Sequence, residues 1–396
     1  MRPTRPSPRK PPRLWQQPGW PNLHYDIASV AAAVTAARRA QGVVEGRLAA
    51  IGLDQRQHLA AEAWVQEALS TAAIEGERLD LEAVRSSVAR RLGVAGAAAR
   101  ATPRHVDGLL DVMDDAVARA GEPLTHERLH AWQAALFPTG HSGLQKIHVG
   151  GYRTHAEPMQ IVSGVLGRET VPFEAPPSAA VPQQMGWLLE WLDSPAEPDR
   201  LVQAAVAHLW FETIHPYEDG NGRLGRAIVD LVLARDGGEP SRLLRIAERL
   251  LARRSEYYAQ LEAAQHGPLD VTPWVLWFTD QVRAACEAAS AVVALSLAKA
   301  RFWHTHREAD LSARQRKAVN VLLDAGPGGF EGGLSTRKYE HLTGASRATS
   351  SRELIDLAAW GLLQQRGAGR ATRYDLAIDE WTLSAATPPA PPPRWR

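Results

Sequence analysis

RLVQAAVAHLWFETIHPYEDGNGRLGRAIVDLV, residues 200–232, is the stretch on which the reading of the fold turns. In its first half Leu201, Val202, Ala205, Val206, Leu209 and Trp210 lie on one helical stripe, which makes that helix a core element. In its second half Leu224, Ile228, Leu231 and Val232 recur at i, i+4, i+7 and i+8, the spacing of a second buried helix. Between them HPYEDGNGRLGR, residues 215–226, sets a histidine, carboxylates, two glycines around an asparagine, and two arginines within one bend.

Those residue types have a joint chemistry. Gly220 and Gly222 let the backbone turn tightly and let a ligand approach closely. The helix expected from about Asn221 presents N–H groups that carry partial positive charge and hold anions, phosphates above all. Arg223 and Arg226, three residues apart, supply fork-shaped donors for phosphate oxygens. Asp219 is an oxygen ligand suited to Mg²⁺. His215 titrates near neutrality and takes a proton from an attacking hydroxyl. Together they describe transfer of a nucleotide-derived phosphoryl group. No Walker A loop, G-x-x-x-x-G-K-[ST], occurs.

The totals are globular. The 396 residues are 45% hydrophobic and 22% charged, enough for two or three domains with a proper core. A formal charge of +1 draws the chain toward neither nucleic acid nor an anionic membrane. The single cysteine, Cys286, rules out an intrachain disulfide or a cysteine-based zinc site, reads as a small buried apolar residue, and fits a cytoplasmic setting. No unbroken apolar run of about 18 residues is seen, so no membrane partner is expected. The basic, proline-rich start, residues 1–14, reads as a disordered arm without a secretory h-region, and residues 387–396 as a proline-rich tail.

Outward from the central bend the pattern is helical, with two changes of texture. Residues 15–100 read as an N-terminal helical domain and 101–305 as the core that carries the bend. Within it, residues 150–182 are rich in Gly, Pro and β-branched types, with a strand-like piece at Met159–Ser163, and predict a hairpin or flap on a helical body. Residues 311–380 predict three helices and a two-stranded wing, a winged helix-turn-helix. Ten Lys or Arg stand against six acids over 312–376, an excess of four. The expected fold is all-α with one small β-hairpin flap.

The central bend resembles the Fic-family signature His-Pro-Phe-x-(Asp/Glu)-Gly-Asn-Gly-Arg-x-x-Arg at every defined position except Tyr217, an aromatic whose hydroxyl needs a partner if buried. The likeness runs from about Trp15 to Phe278, through GWPNLHYD, MQIVSGVLGRETVPFEAPP, AHLWFETIHP and EYYAQLEAAQHG. It implies a Fic helical core and adenylylation: AMP passes from ATP to a Ser, Thr or Tyr hydroxyl of a target protein, or of the chain itself. It makes His215 the general base, Asp219 the Mg²⁺ ligand, and Gly220, Asn221 and Gly222 the anion hole. Arg223 and Arg226 become the clamp on the β and γ phosphates, with Gly225 in the same phosphate-binding turn. Met159, Gln160, Ile161, Val162 and Ser163 would dock the target by strand addition, and Tyr258 would line the nucleotide pocket.

STAAIEG, residues 70–76, looks like a helix end capped by Gly76. Glu75 is odd there, because a carboxylate in a last turn opposes the helix dipole by roughly 0.3–1 kcal/mol unless a cation compensates; an arginine partner is expected. Thr71, Glu75 and Gly76 also resemble the family's inhibitory motif, (Ser/Thr)-x-x-x-Glu-(Gly/Asn). The resemblance implies that Glu75 pairs with Arg226 and so brakes the enzyme. The rival reading is a nucleotide-sensing, DNA-binding transcriptional regulator, with Arg347 and Arg352 on a recognition helix from Ser346 to Trp360 and Arg366, Arg370 and Arg373 on the wing. The same module suits a protein partner, and family analogy adds a homodimer. A different nucleoside-diphosphate donor and kinase-like γ transfer are the remaining alternatives.

Overall fold

The computed structural model describes residues 12–93, 102–163, 170–195, 199–328 and 330–378. The chain divides into two compact units, Met1–Val293 and Ala294–Arg396. That division falls inside a helix, earlier than the 305/311 boundary expected from sequence. The residues of the proline-rich tail and the first eleven of the arm lie outside the described part. Leu14 belongs to the body rather than to an arm: it starts a 3-10 turn, Leu14–Gln16, and is fully buried.

The first unit opens with α1 (Ile27–Ala49), α2 (Leu53–Ile74) and α3 (Leu81–Arg91). There follow α4 (Arg104–Ala118) and α5 (His126–Leu136), then a two-residue ladder, β1 (His141–Ser142) with β2 (Gln145–Lys146), which the sequence reading did not foresee. The expected flap is β3 (Gln160–Ser163) paired antiparallel with β4 (Thr170–Glu174); Ile161 faces Phe173 and Ser163 faces Thr170, with a register shift between. Next come α6 (Val181–Asp193), α7 (Arg200–Ile214), α8 (Asn221–Gly237), α9 (Ile246–Ala252), α10 (Arg254–Gln265) and α11 (Thr272–Thr305).

The core sits on α7 and α8, which pack most extensively against each other. Every residue of α7 from Leu201 to Ile214 is buried, so the stripe read from sequence is a minimum. Asp199 caps its start, accepting from the Leu201 N–H at 2.8 Å, and is itself held by Arg38 at 2.8 Å. On α8 the fully buried Leu224, Ile228, Leu231 and Val232 confirm the predicted period, each worth about 1.5–3 kcal/mol of burial. From α11, Trp274, Phe278 and Cys286 close this core, the indole of Trp274 donating to the Ala205 carbonyl at 2.7 Å.

By length and composition α11 is also long and apolar enough to cross a membrane, which corrects the reading that no such segment exists. The small apolar residues of AACEAASAVVALSLA raise its average even though Glu287 and the serines interrupt any continuous run. Among its most apolar window 44% is buried in this fold.

The second unit gathers α12 (Ala313–Ala325), α13 (Thr336–Thr343) and α14 (Arg347–Ala359) with an antiparallel pair, β5 (Leu363–Arg366) and β6 (Arg373–Leu376). Leu334 adds a bridge to Tyr374. Val319, Leu322, Leu354, Leu357, Leu362 and Tyr374 build its own core, with Ser312, Ser335 and Ser346 capping the three helices.

Candidate active site

Three helix ends meet at the conspicuous bend. The first is the start of α8, where Gly220 serves as N-cap at φ +89°. A side chain there would press on the Phe137 ring, so both space and backbone angle demand glycine. The first helical bond runs from the Leu224 N–H to the Gly220 carbonyl at 3.0 Å. The N–H groups of Asn221, Gly222 and Arg223 therefore precede the ladder and point out of the helix start, an anion-favouring end.

The Asn221 side chain has a different task from its backbone. Its Oδ1 accepts from the Tyr217 N–H at 2.9 Å and its Nδ2 donates to the Tyr217 carbonyl at 2.8 Å, closing the bend on itself. Tyr217 is fully buried, and its hydroxyl meets His130 Nδ1 at 3.0 Å, the partner that the sequence demanded without naming. Gly225 does not face the anion-binding turn as expected. A Cβ there would meet Glu212 Oε1 at 2.5 Å and His208 Nδ1 at 3.1 Å, so it is glycine to let α8 approach buried polar groups on α7.

The second end is the C-terminus of α7, where His215 turns left-handed at φ +50°. Its Nδ1 is buried, has no hydrogen-bond partner among the described residues, and lies 3.7 Å from Glu212 Oε2. Burial first and the Arg153 guanidinium second push the His215 pKa down to about 4. Burial, then Glu75, pushes Glu212 up to about 8. At neutral pH the imidazole is thus uncharged and able to accept a proton, while the carboxyl beside it holds one.

The third end is the C-terminus of α2. The Gly76 N–H reaches the Ala73 carbonyl and the Glu77 N–H the Ala72 carbonyl, both at 3.0 Å, with Gly76 at φ +82°: a Schellman close. It delivers two carboxylates to α8. Glu75 Oε1 accepts from Arg226 Nη2 at 2.7 Å, and the same guanidinium donates to Thr71 Oγ1 at 2.7 Å and the Thr71 carbonyl at 3.0 Å. Burial works against the Arg226 charge, yet Glu75, Tyr257 and Glu212 together hold its pKa above the ordinary value. A side chain at Gly222 would collide with Glu75, which therefore rests on the opening turn of α8. The carboxylate that opposes the dipole of α2 thus favours that of α8.

Glu77 is the second carboxylate, and sequence reading missed it. Its Oε2 accepts from Arg223 Nη1 at 3.0 Å, while that guanidinium stacks on Phe137 with its carbon 4.9 Å from the ring centre. Both arginines of the bend are thereby occupied by acids from one turn.

Asp219, the expected Mg²⁺ ligand, accepts from the Gly220 N–H at 2.5 Å and from the Ser142 hydroxyl, and its side chain is 40% exposed. Among the described residues no group of three or more His, Cys, Asp or Glu is gathered for a metal. One half-exposed carboxylate beside a helix N-terminus fits an ion whose other ligands are phosphate oxygens and water. Tyr258 is half-exposed, with its hydroxyl on the Ile74 carbonyl at 3.3 Å, so it stands against the end of α2. In the flap, the Met159 carbonyl accepts from the Ala175 N–H at 2.9 Å, and Gln160–Ser163 form the strand. A two-stranded sheet leaves each strand one edge for a further strand.

Arg153 was also unforeseen. It is fully buried and hydrogen-bonds the backbone of the α7 end, as developed below. No periodicity marks it, and GGYRT reads simply as loop.

Residues 123–233 match the family model described as Fic/DOC family, and residues 14–94 match a domain of unknown function, DUF4172. A probable protein adenylyltransferase of Aquifex aeolicus is 33% identical over 99 residues, 25% of this chain and 28% of that protein. The protein adenylyltransferase Fic of Nematostella vectensis is 26% identical over 222 residues, 54% of this chain and 46% of that one. The chain thus spans less than half the length of these curated relatives. A solved Fic family protein from Desulfovibrio desulfuricans G20 shares the fold, with TM-score 0.51 and 22% identity over 87% of this chain and 95% of that chain.

Proposed function

This chain carries a Fic/DOC-family domain, and from that premise we propose that it is a self-inhibited protein adenylyltransferase. AMP would pass from ATP to a Ser, Thr or Tyr hydroxyl of a target protein. One observation carries the reading: a histidine whose Nδ1 is buried, an open helix N-terminus and two arginines meet at a single bend, and acids of the same chain occupy both arginines.

His215 accepts the proton of the target hydroxyl as its oxygen attacks the α phosphorus of ATP. The bond from that phosphorus to the β-bridging oxygen breaks, and pyrophosphate leaves. With Nδ1 turned toward Glu212, Nε2 is the ring nitrogen left for the proton. The N–H groups of Asn221, Gly222 and Arg223 stabilise phosphate charge in a fixed array, and Arg223 and Arg226 orient the β and γ phosphates. Asp219 would hold Mg²⁺, which supplies neutralisation of phosphate charge when bound. The hairpin edge at Gln160–Ser163 would receive the target as an added strand. Glu75 is an internal anion seated where a phosphate belongs. While it holds Arg226, ATP is denied the guanidinium that a productive pose requires.

The test is label transfer with α- or γ-labelled ATP and Mg²⁺ in the full chain and in Glu75→Gly and His215→Ala. Label from the α position alone, strong in Glu75→Gly and absent without His215, is the expected result. Label from γ would make the protein a kinase, and equal labelling with and without Glu75 would remove the brake from the reading.

The C-terminal unit is read as a winged helix that adds a partner. Arg366 is tied to Asp375 and Arg314 to Glu353, whereas Arg347 and Arg352 are exposed on α14 beside the exposed Ile355 and Trp360. Apolar and basic groups together on that helix favour a protein partner over DNA. Salt-dependent retention of residues 310–380 on duplex DNA would reverse that preference.

A further inference from the structure

The Arg153 side chain reaches both the backbone that carries His215 and the segment that follows β4 of the flap. Its Nε donates to the His215 carbonyl at 2.8 Å and its Nη2 to the Ile214 carbonyl at 3.2 Å. The same Nη2 donates to the Pro176 carbonyl at 2.6 Å, and Nη1 to Ser178 Oγ at 2.9 Å. Its own N–H donates to the Pro216 carbonyl at 2.9 Å. Pro176 and Ser178 directly follow β4, whose base is closed by Ala175 on Met159.

Two features make this more than packing. Among the described residues no carboxylate lies within ion-pair distance of Arg153, although only 1% of it is exposed. A buried guanidinium answered by neutral acceptors alone is expensive, and a neutral side chain of like size would fill the space more cheaply. What arginine adds is a rigid fork that satisfies several carbonyls in one plane. Second, His215 is held at φ +50°, a backbone region that costs a non-glycine residue about 1–2 kcal/mol and persists only where neighbours over-determine it. Arg153 grips the carbonyls on both sides of that residue's N–H and Cα.

We propose that Arg153 is a positioning residue that fixes His215 and the root of the β3–β4 hairpin in one frame, so that a strand docked on the flap presents its hydroxyl to the imidazole. The proposal deepens the adenylyltransferase reading and rests on it for the reaction. The frame itself is testable without that reaction. Glu212 Oε2 lies 3.7 Å from the His215 ring, and Arg153, Glu75 and Asp219 are the charges that act on it, with Arg153 the cation among them.

The experiment uses the full chain with Glu75→Gly as background, carrying Arg153→Lys, Arg153→Gln or Ser178→Ala. Arg153→Lys keeps the charge but loses the fork. It is expected to lower kcat for transfer to a protein target roughly ten- to hundredfold, the scale of an ångström-sized misplacement, with KM for ATP changed less than about threefold. Unchanged kcat, or equal losses in kcat and ATP affinity, would overturn the proposal. Ser178→Ala, which spares the guanidinium, keeps the test alive if the Arg153 variants do not fold. Its expected effect is a KM for the target raised about two- to fivefold with KM for ATP constant, and no change overturns the link to the flap. By NMR, the His215 imidazole in Arg153→Gln should shift and titrate at higher pH than in the parent, because the cation that lowers its pKa from the carbonyl side is gone. An unmoved imidazole overturns the proposal whatever the chain transfers. A moved imidazole in a chain that transfers nothing leaves the frame standing and sinks the adenylyltransferase reading instead.

Discussion

Two helices end within reach of the same anion-binding turn, and they end in opposite ways. The α2 end uses Gly76 at φ +82° and two Schellman bonds, all from its own backbone. The α7 end puts His215 at φ +50° in a position that glycine would fill without strain, and relies on Arg153 from a distant loop to hold it. A self-contained cap suits a brake, since the turn carrying Glu75 and Glu77 keeps its shape whether or not its carboxylates are engaged. A strained, externally braced cap suits a base, because the imidazole must sit in one place. The contrast teaches that side-chain chemistry, and not chain reversal, selected the residue at 215.

The largest expected effect breaks the α7 side. His215→Ala should lower AMP transfer by about two to four orders of magnitude, measured as α-label incorporation in the Glu75→Gly background. The wild-type base also sets a pH profile. Its folded pKa is lowered to about 4 from 6.5, so it is active when unprotonated and transfer should stay level down to about pH 5, then fall. The same shift favours the folded state above pH 6.5, and that stability is lost as pH falls toward 4. An acid limb centred near 6.5 would mean that neither burial nor Arg153 acts on this ring.

Next comes the α2 side. Glu75→Gly removes the anion on Arg226 and should raise transfer about five- to 150-fold, the range of a coupling of 1–3 kcal/mol. Loss of transfer would assign Glu75 to the chemistry and not to its restraint.

A pair of substitutions sharpens the comparison itself. Gly76→Ala forces a β-carbon into the left-handed region and should cost about 1 kcal/mol, read as the unfolding free energy in denaturant. His215→Gly relieves the same region and should stabilise by up to about 1 kcal/mol while abolishing transfer. If both destabilise alike, the strain assigned to the α7 end is absent.

Much of this arrangement was legible in the sequence because it is local. The bend, the start of α8 at Asn221, the Gly76 cap and the misplaced Glu75 each announce themselves within a few residues. What escaped is non-local and polar. Glu77 lies 146 residues from Arg223, His130 lies 87 from Tyr217, and Arg153 lies 62 from His215. Such pairs leave no periodic trace, since a single buried arginine in a glycine-rich loop disturbs no hydrophobic pattern. Gly225 misled for a related reason: glycine in a phosphate-binding turn and glycine for close approach to a neighbouring helix look identical in a string. The end of α2 could be read from its Gly76 cap, but which of the two carboxylates after it would reach which arginine depends on how the turn is aimed.

The smallest effect decides whether that aiming matters. Glu77 pairs with Arg223 at 3.0 Å and Glu75 with Arg226 at 2.7 Å; the two acids are about equally exposed, 35% and 32%, and Arg223 is 10% exposed against 4% for Arg226. Water screens such a pair, and an exposed ion pair is worth at most about 1 kcal/mol, so Glu77→Gln alone should raise transfer no more than about fivefold. The informative measurement is the double variant. If the two carboxylates occupy the two arginines independently, the gains from Glu75→Gly and Glu77→Gln multiply. If the turn acts as one latch, releasing Glu75 already frees Arg223, and Glu77→Gln adds nothing further. Multiplying gains would place the brake in two separate ion pairs. A silent second substitution would place it in the rigid Schellman turn that carries both, which is the property distinguishing this helix end from the one that carries His215.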